Sequence, residues 1–170
     1  AKVLITTSER AKAVGHLKSD GSLTAIVVLS GAPLDDMISF DELLAGRADT
    51  IEAPGNAPGD LSTICYTSGT TGFPKGAMLS HHSVVLNAAM TAAMNMRTEH
   101  DVQFTGLPLA HVYGTVVMNL SFLYGLTFVM LEKFDTQQAL DAIGRHKVTI
   151  MDGVPTMYLT MLRHPARAKH

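Results

Sequence analysis

The segment Tyr66-Thr67-Ser68-Gly69-Thr70-Thr71-Gly72-Phe73-Pro74-Lys75-Gly76 gathers three glycines, four Ser/Thr hydroxyls and one lysine. Glycine permits the backbone conformations and close approach that let successive N–H groups turn toward an anion. The hydroxyls add donors and Lys75 adds a full positive charge, which together suit a polyphosphate. The spacing is not that of the mononucleotide P-loop, G-x-x-x-x-G-K-[ST]. From Gly69, Pro74 stands where the second glycine belongs, and Gly76 follows Lys75 where a Ser or Thr would meet Mg²⁺. A flexible Ser/Thr/Gly linker is the plain alternative. The apolar run Ile64-Cys65-Tyr66, entering the loop as a buried strand, argues against it.

Other reactive side chains have quieter readings. Adjacent His81 and His82 point about 100° apart on a helix and have no carboxylate or thiol cluster beside them, so they read as helix-start residues. Cys65 lies in an apolar strand with no histidine set by spacing and reads as a buried thiol. Met78, Met90, Met94 and Met96 could offer an adaptable acyl-binding face, with core packing as the default.

The elements that must hold the loop alternate between strand and helix. Strands are expected at Val3–Thr6, Thr24–Leu29, Leu61–Tyr66, Ala77–Leu79, Val102–Leu107, Leu126–Leu131 and Val148–Met151. Helices are expected after Ser8, at Phe40–Ala45 behind a Ser39/Glu42 capping box, and at about His82–Met96 capped by Ser80. Others follow at Tyr113–Leu123, from Asp135 to about His146, and from Pro155 at a first helical position. This pattern predicts an α/β fold with a largely parallel sheet flanked by helices. Residues 1–45 form strand/helix units, 46–60 a Gly/Pro-rich surface loop, and 61–170 the loop-bearing α/β units.

The chain has 170 residues, room for one domain or a piece of one, and at that size folding buries roughly 70% of the extended surface. Thirteen basic and 15 acidic residues give a formal charge of −2, with no basic cluster for a nucleic-acid backbone. Charged residues are only 16% of the chain and hydrophobic ones 46%, which leaves few solvent-facing side chains. Val102–Leu131 carries no Asp, Glu, Lys or Arg, long enough to raise a transmembrane helix. Pro108, His111, Gly114, Asn119 and Gly125 break it into strand- and helix-sized pieces, so a buried α/β segment is the better reading. A single cysteine excludes an internally disulfide-stapled scaffold and fits a reducing compartment. The strand-like beginning, with no signal-peptide pattern, is expected of a cut chain.

YTSGTTGFPKG followed by Ser80-His81 closely resembles the signature loop of the adenylate-forming superfamily, which includes acyl-CoA synthetases, coumarate ligases and luciferases. Pro108-Leu109-Ala110-His111-Val112-Tyr113-Gly114 is similar to the next family motif. Val148-Thr149-Ile150 and Val154-Pro155-Thr156-Met157-Tyr158 look like the stretch before the adenine-binding region. Ile38–Leu44 resembles a segment common in fatty-acyl-CoA ligases.

The resemblance implies an excerpt of the large N-terminal domain of an adenylate-forming enzyme, with residues 1–170 a partial AMP-binding domain. It implies that a carboxylic acid, here a medium- or long-chain fatty acid, is activated by ATP to acyl-AMP and passed to coenzyme A. Thr67, Ser68, Gly69, Thr70, Thr71, Gly72 and Lys75 would contact the phosphates, with Thr67 also helping to hold Mg²⁺. Lys75 and His111 would be catalytic. His111 would position the acyl carboxylate, beside Tyr113 and Gly114 in the acyl pocket. The downstream adenine, ribose and second Mg²⁺ residues and the C-terminal lysine have no counterpart here, so the excerpt alone is expected to be inactive. Its uncovered apolar faces could drive self-association. A cytoplasmic parent is expected, with peripheral membrane attachment open because fatty acids arrive from bilayers. Alternatives are an aromatic-acid or carrier-protein acyl ligase, and a non-catalytic nucleotide- or acyl-binding module.

Overall fold

A computed structural model describes the chain except for residues 1, 34–35, 46–49, 51, 68–71 and 170, and the side chain of residue 169. It divides into two compact units, Ala1–Pro54 and Gly55–His170.

The first unit is a small parallel sheet in the order β1-β2-β3, from Val3–Thr6, Ala25–Val28 and Ile38–Ser39. Parallel neighbours need a crossover, and helices α1 (Ser8–Val14) and α2 (His16–Ser19) supply the one between β1 and β2. Ala11, Ile26 and Val28 are buried together, with Leu4, Leu23 and Met37 against them. Two sequence expectations change here. Thr7, not Ser8, stands at the N-cap of α1, and the helix is interrupted at Gly15. Ser39 does stand at the N-cap of α3 (Phe40–Leu44), but its side chain makes no capping bond, so the capping box is not formed.

The second unit opens with a hairpin, β4 (Leu61–Thr67) antiparallel to β5 (Lys75–Ser80). This is the exception to the parallel pattern. It is also exposed: Leu61, Ile64, Tyr66 and Met78 all face outward, so β4 is not the buried strand its apolar letters suggest. Cys65 is accordingly half-buried rather than buried. Helix α4 (His81–Met94) follows, and the Ser80 hydroxyl accepts from the Ser83 N–H as its cap. Its buried residues are Ala88 and Ala92, whereas Met90 and Met94 are exposed, as are Met78 and Met96. The default core packing of these methionines is thus overturned, because the helix turns its alanines inward.

Next come β6 (Val102–Thr105), α5 (Val112–Tyr124), β7 (Thr127–Met130), α6 (Thr136–His146), β8 (Ile150–Asp152) and α7 (Pro155–Arg163). The strands form a parallel sheet in the order β7-β6-β8. Central β6 is covered on both faces, with Gln103, Phe104 and Thr105 fully buried. Asp135 caps α6 by accepting from the Gln138 N–H, and Pro155 begins α7, both as the sequence suggests. Ala88 and Ala92 of α4 pack with Leu120 of α5 and with Leu126.

The charge-free stretch resolves into β6, α5 and β7. Helix α5 has 13 residues, about 20 Å at 1.5 Å per residue and short of the roughly 20 residues a bilayer needs. Among the described residues no helix is long and apolar enough to cross a membrane.

Arg97 and Asp152 form a bidentate ion pair at 2.7 Å, with side chains only 3% and 5% exposed. Removing one partner strands a buried charge. Asp152→Ala is expected to cost about 3–5 kcal/mol of stability, read as a lower urea midpoint. Paired replacement by Arg97→Met and Asp152→Leu should recover most of that loss.

Candidate functional site

The hairpin holds the two ends of the glycine–hydroxyl loop. Thr67 and Lys75 are directly opposed in the β4–β5 register, and directly opposed residues of an antiparallel pair share one face. The Thr67 hydroxyl and the Lys75 side chain therefore rise together at the loop's base. Thr67 Oγ1 donates to the Lys75 carbonyl across a long 3.5 Å and accepts no hydrogen bond among the described residues. Lys75 is exposed and makes no ion pair among the described residues. Gly72 has a left-handed φ of 83°, a conformation that suits glycine. Ser68, Gly69, Thr70 and Thr71 lie outside the described residues.

The second cluster begins where β6 ends. The chain turns through Pro108–Ala110, and His111 caps α5, its Nδ1 accepting from the Tyr113 N–H at 3.2 Å. In the neutral ring an accepting Nδ1 assigns the proton to Nε2. That N–H is a donor suited to a carboxylate oxygen. The exposed imidazole is not the satisfied core histidine that its apolar neighbours alone suggest. Thr115 Oγ1 donates to the Leu109 carbonyl at 2.8 Å and ties the turn to the helix.

Gly114 is buried at the same place for a steric reason. A Cβ there would meet the Pro108 carbonyl carbon at 2.9 Å and Leu109 Cα at 3.0 Å. Its role in this structure is close packing of helix against turn.

Tyr113 extends toward the sheet. Its hydroxyl donates to Asp152 Oδ1 at 3.4 Å. Burial, and then the adjacent Asp152 carboxylate, raise its phenol above the ordinary tyrosine value, so it is a donor throughout the neutral range. Tyr158 is raised for the same leading reasons, and its hydroxyl donates to the Met151 carbonyl. Sequence reasoning passed over Arg97, Gln103 and Asp152. Gln103 in a β-branched strand and Asp152 at the end of another were the available signals, since polar side chains there must find partners.

A mostly apolar cavity of about 170 Å³ lies between the hairpin, α4 and α5. Thr63, Cys65, Leu79, Val84, Val112 and Thr115 are among its walls. Hairpin and helix α5 thus border one space, while among the described residues no hydrogen bond or ion pair joins Lys75 to His111. Among the described residues no three His, Cys, Asp or Glu side chains cluster as a metal site.

The family model described as "AMP-binding enzyme" matches residues 1–170. The chain is 41% identical over 109 residues to a long-chain-fatty-acid–CoA ligase of Bacillus subtilis (strain 168), covering 62% of this chain and 20% of that protein. It is 34% identical over 171 residues to 4-coumarate–CoA ligase 2 of Solanum tuberosum, covering 97% and 31%. Its fold superposes with a TM-score of 0.85 and 27% identity on an anthranilate CoA ligase solved with anthranoyl-AMP, covering all of this chain and 34% of that one. The chain spans about a fifth to a third of the length of these proteins.

Gly114→Ala should push α5 off the Pro108–Leu109 turn. A loss of stability of about 1–3 kcal/mol is expected from overpacking, together with altered His111 and Tyr113 signals in NMR spectra. The equally conservative Ala110→Gly should leave the Tyr113 signals in place.

Proposed function

The chain belongs to the AMP-binding enzyme family, and on that premise we propose that its full-length parent activates a carboxylic acid with ATP and transfers the acyl group to coenzyme A. The observation that carries this reading is the Thr67–Lys75 pair at the base of the glycine–hydroxyl loop, with no ion pair to Lys75 among the described residues.

In the first step a carboxylate oxygen attacks the α-phosphorus of ATP. A mixed carboxylic–phosphoric anhydride bond forms, and the bond from the α-phosphorus to the oxygen bridging to the β-phosphate breaks, releasing pyrophosphate. Lys75 stabilises negative charge on the phosphates as they separate, and Ser68, Gly69, Thr70, Thr71 and Gly72 donate to them. His111 donates from Nε2 to the carboxylate and keeps it in line. In the second step the coenzyme A thiolate attacks the acyl carbonyl and AMP departs.

Mg²⁺ in such sites is held largely by substrate phosphates and a few protein oxygens. The open Thr67 hydroxyl fits that demand, and the ion would supply charge neutralisation there. Thr67, Lys75 and His111 keep these roles as proposals, with Tyr113 and Gly114 lining the acyl side.

For the acid we favour a medium- or long-chain fatty acid. Support comes from the Ile38–Leu44 likeness, the fatty-acid ligase relative and the apolar walls between hairpin and α5. The coumarate and anthranilate relatives make an aromatic acid the competing reading. A cytoplasmic parent that takes fatty acids from a membrane surface, and self-association of the 170-residue chain, belong to the same proposal.

The test is exchange of labelled pyrophosphate into ATP by the parent, against a panel of acids. Fatty-acid-dependent exchange supports the full reading. Exchange with aromatic acids keeps the mechanism and replaces the substrate, and no exchange with any acid overturns it. Lys75→Ala should slow exchange by 100-fold or more, on the scale of one lost charge-stabilising donor. Being exposed, it should leave the unfolding midpoint nearly unmoved. Equal losses of both would remove Lys75 from the chemistry.

A further inference from the structure

Behind the acyl-side cluster lies a network with more connections than holding β8 requires. Arg97 gives Nη1 and Nη2 to the two Asp152 oxygens, and Nη1 also donates to Gln103 Oε1 at 2.7 Å. Gln103 Nε2 in turn donates to the Val117 carbonyl, one turn along α5 from Tyr113. Thr105 Oγ1 donates to the Asp152 backbone carbonyl at 2.9 Å. Asp152 Oδ1 therefore accepts from both Arg97 and the Tyr113 hydroxyl. Arg97 Nε is buried with no acceptor among the described residues.

Energetics make this arrangement informative. A buried ion pair is often no more stabilising than apolar residues of the same volume, and an unpaired buried N–H adds a penalty. Stability alone is a weak reason for such a pair. Its location gives a better one. Asp152 is the last residue of β8, at the carboxyl edge of a parallel sheet, where open α/β sheets present their ligands. The network reaches α5 twice, at the Tyr113 hydroxyl and at the Val117 carbonyl.

We propose that Asp152, clamped by Arg97, is a positioning residue that fixes the Tyr113 phenol and through it the selection of the acid. This rests on the reading of Tyr113 as an acyl-side residue. A carboxylate held rigidly by a planar bidentate partner gives the phenol one preferred direction. Without that acceptor the ring samples further rotamers and the wall it forms becomes less selective. Gln103 fixes the stretch of α5 that carries Tyr113, so side chain and backbone are held by the same guanidinium.

The experiment uses the full-length parent and measures acid-dependent pyrophosphate exchange for wild type, Tyr113→Phe, Asp152→Asn and the double variant, over acids of graded length and width. Tyr113→Phe should raise acid KM more than it lowers kcat. It should also flatten discrimination across the panel by roughly 3- to 10-fold, the scale of one hydrogen bond. Asp152→Asn should flatten it in the same direction, and in the Tyr113→Phe background should flatten it little further. ATP KM should change far less than acid KM in every variant. Additive effects of the two substitutions, or a Tyr113→Phe enzyme with wild-type acid discrimination, would overturn the proposal. Because Tyr113→Phe leaves the ion pair intact, that second outcome decides the matter even where Asp152→Asn does not fold. Wild-type enzyme lacking exchange with every acid would instead overturn the underlying function. Exchange that persists with unaltered selectivity removes only the positioning role.

Discussion

A guanidinium sealed from water has to be neutralised where it lies, and in the second unit Asp152 does this for Arg97. Meeting that requirement fixes much around it. Both oxygens of Asp152 are committed, so the end of β8 is held against the segment that follows α4. Gln103 joins through the same Nη1, which orients one of the two buried polar side chains of the central strand. Its amide nitrogen then needs an acceptor and finds it on α5. One buried charge thus aligns two strands and a helix with directional bonds, where apolar packing alone would tolerate sliding.

Helix α5 is the element most constrained by this arrangement. At its first turn the absence of a side chain on Gly114 lets it approach the Pro108–Leu109 turn, and Thr115 bonds back to that turn. One turn further, the Gln103 bond to the Val117 carbonyl holds it to the sheet. His111 and Tyr113 stand just before these supports, at the start of the helix. His111 uses Nδ1 as a helix cap, which orients the ring without occupying Nε2. The histidine is therefore aimed by the backbone, and Nε2 takes no part in that bond.

Much of this was legible in the sequence, for reasons that differ by element. The caps at Ser80 and Asp135 are local and formed where expected, and Pro155 at a helix start is equally local. The parallel sheet followed from the alternation of apolar runs with helices. Burial was harder to read. β4 has the letters of a core strand yet sits in an exposed hairpin, because apolar composition does not say which face finds a neighbour within this chain. The methionines failed for a related reason: alanines 88 and 92 took the close helix–helix contact, which left longer side chains outside. The loop letters and the His111 motif were visible as strings. The Arg97–Asp152 pair joins residues 55 positions apart and has no local signature, so only the folded arrangement reveals it.

The two clusters assigned to the chemistry rest on supports of opposite kinds. Thr67 and Lys75 end the strands of an exposed hairpin, bonded mainly to each other, in a setting where local opening is cheap. In the proposed reaction such a mount would suit groups that follow a polyphosphate as it binds, loses pyrophosphate and departs. His111 and Tyr113 rest on a helix fixed to a buried ionic network, which would suit the proposed carboxylate, held aligned while the phosphate moves. An in-line displacement needs one reactant held while the other's leaving group separates. In the proposed mechanism the difference between hairpin and helix would then serve the reaction, and the Arg97–Asp152 pair would belong with the rigid half.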